Sequence, residues 1–193
     1  MKTFNKTLIA AATIATFGLA AAPSALSLEG SAGISTSYLW RGAELGTGGS
    51  PAFWADASGS AAGVTYGVWV TSGDSQTEYD LYADYSGSMG DIGYSIGYVD
   101  YNYADGTSDF EETYVGLSFG PASVTVYDNS DADTQYTVLG YDAGAFSIAY
   151  GDDDAAGSHT DVTYAINDSL SLTVSDSDQA DEMIVVGSYS ISF

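Results

Sequence analysis

From Leu28 onward, apolar and polar residues alternate one by one in segment after segment, and helical periodicity is hard to find. A period of two puts successive side chains on opposite faces of a strand, so this pattern marks a sheet with unlike faces. Ala32, Ile34, Thr36, Tyr38 and Trp40 share one face of a first segment, against Ser31, Gly33, Ser35, Ser37 and Arg41 on the other. The alternation recurs over 64–71, 78–85, 92–98, 115–119, 124–126, 146–150, 162–166, 170–174 and 183–193. With two weaker segments at 52–58 and 135–142, the reading gives about twelve strands and an all-β chain.

Charge narrows the partners. The chain has 26 acidic and three basic residues, the bases being Lys2, Lys6 and Arg41. Nucleic acid is excluded, because nothing could neutralise its phosphates. A disordered acidic chain is excluded by 45% apolar and 13% aromatic residues, and the absence of cysteine excludes a disulfide scaffold and a thiolate metal site. Lys2 and Lys6 precede the small and apolar stretch 8–22, which is too short to span a bilayer as a helix and reads as a secretory signal. Small residues at Ala25 and Ser27 place cleavage after residue 27, leaving 28–193 as one domain with Arg41 as its one strong base.

Connections fall into two alternating classes. Short turns are expected near 60–63, 86–91, 120–122, 142–145 and 167–169, and longer acidic loops near 44–50, 72–77, 104–109, 128–133, 152–159 and 176–182. An even strand number, short turns at one end and long loops at the other describe an antiparallel up-and-down transmembrane β-barrel. Alternation alone also fits a soluble sandwich with its apolar face inside. The secretory signal, the abundance of tyrosines able to form interfacial girdles, and a chain ending on Tyr189, Ile191 and Phe193 favour apolar-out and mark those three residues as an insertion signal.

The segment 33–42 (GISTSYLWRG), with Tyr66-Gly67-Val68-Trp69, Glu78-Tyr79-Asp80, 90–94 (GDIGY), Tyr101-Asn102-Tyr103, Glu112-Thr113-Tyr114-Val115-Gly116 and Gly120-Pro121, resembles the TorF-type family of proteobacterial porins. The resemblance covers most of the mature chain and is strongest over 33–121. It implies an outer-membrane location and a barrel architecture. This chain departs from the family in carrying no lysine after the signal.

In a barrel with its apolar face outward, Arg41, Trp69, Glu78, Asp80, Tyr82, Asp84 and Glu112 line the lumen. A guanidinium paired to carboxylates is expected there, either as a closing salt bridge or as a selectivity element. Trp40 is expected outside as an interfacial anchor, and inner-face glycines such as Gly67 and Gly97 leave room for bulky neighbours. Asp128, Asp131, Asp133, Asp152, Asp153 and Asp154 offer loop oxygens for weakly held divalent cations, without the glycine and spaced Glu of an EF-hand. His159 reads as a solvated loop residue beside Ser158 and Asp161. It has no nucleophile turn around it, so no catalytic activity and no cofactor are expected.

The function that follows is a narrow, cation-preferring diffusion channel for small solutes in the outer membrane. Its expected partners are membrane lipid, lipopolysaccharide and the barrel-assembly machinery. Two alternatives stand beside it: a non-conducting structural or adhesive barrel plugged by Trp69, Tyr82 and Tyr101, and a secreted calcium- or glycan-binding β-sandwich.

Overall fold

A computed structural model describes residues 27–46, 49–73, 76–104, 106 and 109–193. The signal segment 1–26 lies outside the described residues, as do Asp74 and Asp105. The chain forms β1 (Ser27–Ser35), a short pair β2 (Tyr38–Trp40) and β3 (Ala43–Leu45), then β4 (Ala52–Ala61), β5 (Val64–Thr71), β6 (Glu78–Met89) and β7 (Ile92–Tyr103). It continues with β8 (Phe110–Phe119), β9 (Ala122–Asn129), β10 (Thr134–Ala143), β11 (Phe146–Asp153), β12 (Gly157–Ala165), β13 (Leu170–Ser177) and β14 (Ile184–Ser192). β1 and β4 to β14 close into one barrel of twelve strands, each antiparallel to its sequence neighbour, and β1 meets both β4 and β14. The sheet is single and closed, so the two-sheet sandwich is overturned.

The faces follow the sequence periodicity. Val64, Tyr66 and Val70 of β5, Tyr79, Leu81 and Tyr85 of β6, and Ile92, Ile96 and Tyr98 of β7 stand exposed on the outside. Glu78, Asp80, Ser95, Val99, Tyr101, Glu112 and Tyr114 are buried on the inside. A water-soluble barrel would reverse these two sets. Closure pairs every barrel strand on both sides, which removes the edges that hydrocarbon would not tolerate.

Both termini of the barrel lie at the end that carries the tight turns. At the other end, two of the connections expected to be long are short. Strand pairing continues to Asn129 and Asp153 and resumes at Thr134 and Gly157, leaving only 130–133 and 154–156 between strands. Asp128, Asp152 and Asp153 are therefore strand residues, because the ladder claims their backbones before the acidic run ends.

Inside, tyrosines lie flat across glycines to reach a hydrogen-bond partner one strand further on. Tyr82 crosses Gly67 and its hydroxyl donates to Asp56 at 2.9 Å. Tyr114 crosses Gly97 and donates to Asp84 at 2.9 Å. Tyr136 crosses Gly151 to pair with His159 Nε2 at 2.9 Å. Each strap ties three consecutive strands and depends on the missing Cβ, since a side chain on Gly97 would occupy the space of the Tyr114 ring. Gly97→Val is expected to destabilise the barrel by about 1–3 kcal/mol through overpacking, measured by urea unfolding in detergent. Gly93→Ala should cost clearly less, because its Cβ would meet only the rotatable Ser118 hydroxyl. Equal losses would show that the straps are incidental.

Candidate functional site

Sequence periodicity carries the first strand on to Arg41, but the sheet ends six residues earlier, at Ser35. The Thr36 backbone N–H donates to the Gly187 carbonyl at 2.9 Å, and the Gly187 N–H donates back to Thr36 Oγ1 at 3.1 Å. The chain then turns into the lumen, where Ser37, Tyr38 and Leu39 are buried. β2 and β3 form a hairpin with Trp40 opposite Ala43, closed by a two-residue turn of Arg41 and Gly42. Both have positive φ, 47° and 79°. That conformation suits glycine and costs about 1 kcal/mol or more at arginine. The arginine is held there by what it touches.

Arg41 Nη2 donates to Glu112 Oε2 on β8, and Nη1 donates to Asp153 Oδ2 on β11 at 3.2 Å, with all three side chains buried. Its guanidinium carbon lies 4.1 Å from the Tyr136 ring centre, 4.4 Å from Trp40 and 5.3 Å from Tyr127. Glu112 accepts a second bond from the Tyr101 hydroxyl at 3.1 Å. On the backbone side, Gln179 Nε2 donates to the Arg41 carbonyl at 2.9 Å. A planar cation clasped by two carboxylates and faced by aromatic rings is the arrangement for which guanidinium is suited and ammonium is not. The hairpin is thus latched across the lumen by its tip.

Of the carboxylates expected near Arg41, Glu112 meets it, whereas Glu78, Asp80 and Asp84 do not. Asp84 accepts from Tyr114, and Glu78 accepts from the Tyr103 hydroxyl at 3.3 Å. Asp80 faces Trp69 and Tyr101 across its two ladders and is 3% exposed. Trp69 and Tyr82 do point inward, and Trp69 packs 5.9 Å from Tyr38 of the hairpin. Tyr101, Tyr114, Tyr127 and Tyr136 form a buried cluster with Val99 and Val138, so this part of the lumen is packed.

Three expectations change. Trp40 is not an outer anchor: it belongs to the hairpin, against Arg41 and 6.5 Å from Phe110. His159 is not a solvated loop residue but an inward position of β12, 4% exposed. Asp153 is not a loop ligand for a divalent cation but half of the Arg41 clasp. Asp131, Asp133 and Asp154 stay at the exposed connections, and among the described residues no cluster of three or more His, Asp or Glu has metal-binding geometry. Asp178, in the following connection, accepts from the Ser158 N–H at 2.8 Å and the Ser158 hydroxyl at 2.9 Å, which holds its carboxyl below the usual range.

Tyr127, Tyr136 and Gln179 were not legible as site residues. Tyr136 lies in a segment whose phase is ambiguous, and nothing local ties residue 179 to residue 41. The dipeptide Arg41-Gly42 was a usable signal, since glycine in second place suits a two-residue hairpin turn.

No family model matches the chain, and no curated protein matches it. Among solved structures it is similar to one described as "Asymmetric conductivity of engineered proteins", at 19% identity and a TM-score of 0.41 over 74% of this chain and 55% of that one. Two mutant forms of the Rh. blastica porin align over the same shares at 19% identity, with TM-scores of 0.37 and 0.38. The chain thus spans about half the length of the structures it matches. None of these comparisons reaches the TorF-type family.

Proposed function

We propose that the protein is a porin-like channel of the Gram-negative outer membrane, narrow and cation-preferring, with the β2–β3 hairpin as its constriction. The apolar exterior, polar interior and edgeless sheet support the membrane location. The observation that carries the charge preference is the imbalance inside. The one guanidinium is taken up by Glu112 and Asp153, while inward Asp56 and Asp84 are met by tyrosine hydroxyls and Asp80 by no basic side chain among the described residues. Such a lumen concentrates cations and repels anions. A barrel of this strand number lies between eight-stranded barrels filled by side chains and sixteen-stranded open porins, so the passage is narrow.

On this reading residues 1–27 direct export, the last strand engages the assembly machinery, and the acidic end faces lipopolysaccharide, with loosely held divalent cations screening it. No catalytic step and no cofactor are assigned. In a potassium chloride gradient across a planar bilayer, the reversal potential is expected to have the sign of a cation-selective channel; anion selectivity would overturn the reading. The buried tyrosine cluster favours one second reading, a non-conducting structural barrel. Absence of conductance at every voltage would decide for it.

A further inference from the structure

At the loop end of the seam, β14 outruns its partner. Its β13 side is paired up to Ile184, whereas on the β1 side the ladder stops at Ser188 opposite Ser35, with one further exchange between Gly187 and Thr36 before the chain turns into the lumen. Backbone groups alternate sides along a strand with the same period of two as side chains. Gly187 and Phe193 direct their N–H and C=O toward β1, and Val185 shares their parity. Its backbone therefore faces the seam, where no backbone partner meets it among the described residues. A second strand edge is open nearby, since β3 pairs with β2 alone. Glu44 of β3, Val185 of β14, and Gln179, Glu182 and Met183 of the connection before β14 line one open groove of about 480 Å³.

The groove is acidic and holds no cation of its own. Glu44 accepts only the Gly49 N–H, at 3.1 Å, Glu182 is exposed, and Arg41, the one strong base among the described residues, is committed to Glu112 and Asp153. A second copy of the chain would bring the same acidic rim and no free base. An open strand edge beside uncompensated carboxylates instead fits an extended chain that carries positive charge. We propose that this groove docks an extended, lysine- or arginine-bearing segment of a partner protein, which adds to the Val185 edge as a short strand antiparallel to β14. The added strand takes the rung that β1 vacates at Thr36. Alternation along it sets apolar side chains beside the exposed Val185 and Met183 and basic ones toward Glu44. The edge is open whether or not the barrel conducts.

The test is fluorescence anisotropy of a labelled hexapeptide of alternating lysine and valine, titrated with the refolded full chain in detergent at physiological ionic strength. Saturable binding of one peptide per chain is expected. Val185→Pro removes the N–H that faces the seam and spares the β13 ladder, so it should weaken binding by about tenfold. The same peptide N-methylated on alternate amides should lose about as much against the wild type. Glu44→Gln with Glu182→Gln should weaken binding by about threefold or more, as expected for two exposed ion pairs. Assembly of each variant is checked by heat-modifiable mobility; if Val185→Pro does not assemble, the N-methylated peptide carries the backbone comparison. Binding that ignores both Val185→Pro and N-methylation would show a peptide held by charge alone and overturn the strand addition, as would the absence of saturable binding. A wild-type dimer dissolved by Val185→Pro would put a second copy on the edge and overturn the assignment to a basic partner.

Discussion

Arg41→Ala is expected to release the hairpin from the lumen and raise single-channel conductance while the barrel stays assembled. The substitution leaves Glu112 and Asp153 buried near one another without their cation, and breaking a buried pair by removing one partner costs about 3–5 kcal/mol. Arg41 takes no part in the barrel's backbone ladder, which β1 leaves at Ser35, so the loss falls on docking of 36–45 rather than on the ladder. The freed segment also sheds the positive φ that Arg41 adopts only at the turn. Release exposes Tyr38, Leu39 and Trp40, so limited digestion with chymotrypsin should cut the variant there and spare the wild type. Adding Glu112→Gln and Asp153→Asn to Arg41→Ala should restore part of the protection, because the unpaired charges disappear. Arg41→Lys should fall short of wild type, since an ammonium makes neither the two-pronged grip nor the flat stacking. Wild-type conductance and protease resistance in Arg41→Ala would mean that the hairpin is held by Tyr38 and Leu39 alone.

What sequence alone revealed here, and what it hid, divides by the range of the interaction. Period-two alternation reports which way a side chain points from a sheet, so the inward set of Trp69, Glu78, Asp80, Tyr82 and Glu112 and the outward set of Val64, Tyr66 and Leu81 were readable residue by residue. Alternation does not report where a strand leaves the sheet. Tyr38 and Trp40 keep step with Ala32 and Ile34 on paper, yet Thr36 is pinned to Gly187 and everything beyond it turns inward. That contact spans the barrel seam and has no local trace. The same holds for the clasp: an arginine among carboxylates was foreseeable from charge alone, but the choice of Asp153 over Asp80 is made by strand register. His159 was misread because acidic, serine-rich surroundings look solvated until pairing with Gly151 and Ser177 carries the position below the rim.

Deleting Phe193 is expected to abolish accumulation of the assembled barrel while leaving export intact, because closure involves the last strand whereas, on the proposed reading, export is directed by residues 1–27. β14 meets β1 along the seam, and the last fastening of that seam is a reciprocal pair: Gly30 N–H donates to the Phe193 carbonyl at 3.0 Å and Phe193 N–H donates to the Gly30 carbonyl at 2.9 Å. The Phe193 ring covers Gly30, where a Cβ would come within 2.5 Å of it, yet the residue is 80% exposed and faces outward with Tyr189 and Ile191. On the proposed reading, an aromatic so placed serves both the seam and whatever reads the last strand during insertion. Deletion removes both roles at once. Phe193→Ala removes only the ring and keeps both backbone bonds, so the two variants separate the roles. Loss in both, scored by heat-modifiable mobility in the outer-membrane fraction, assigns the ring as the insertion element. Loss in the deletion alone assigns the seam hydrogen bonds instead. Wild-type assembly of both variants would count against Phe193 as part of the insertion signal and leave Tyr189, outward and opposite Ile34 across the same seam, as the aromatic that marks the last strand.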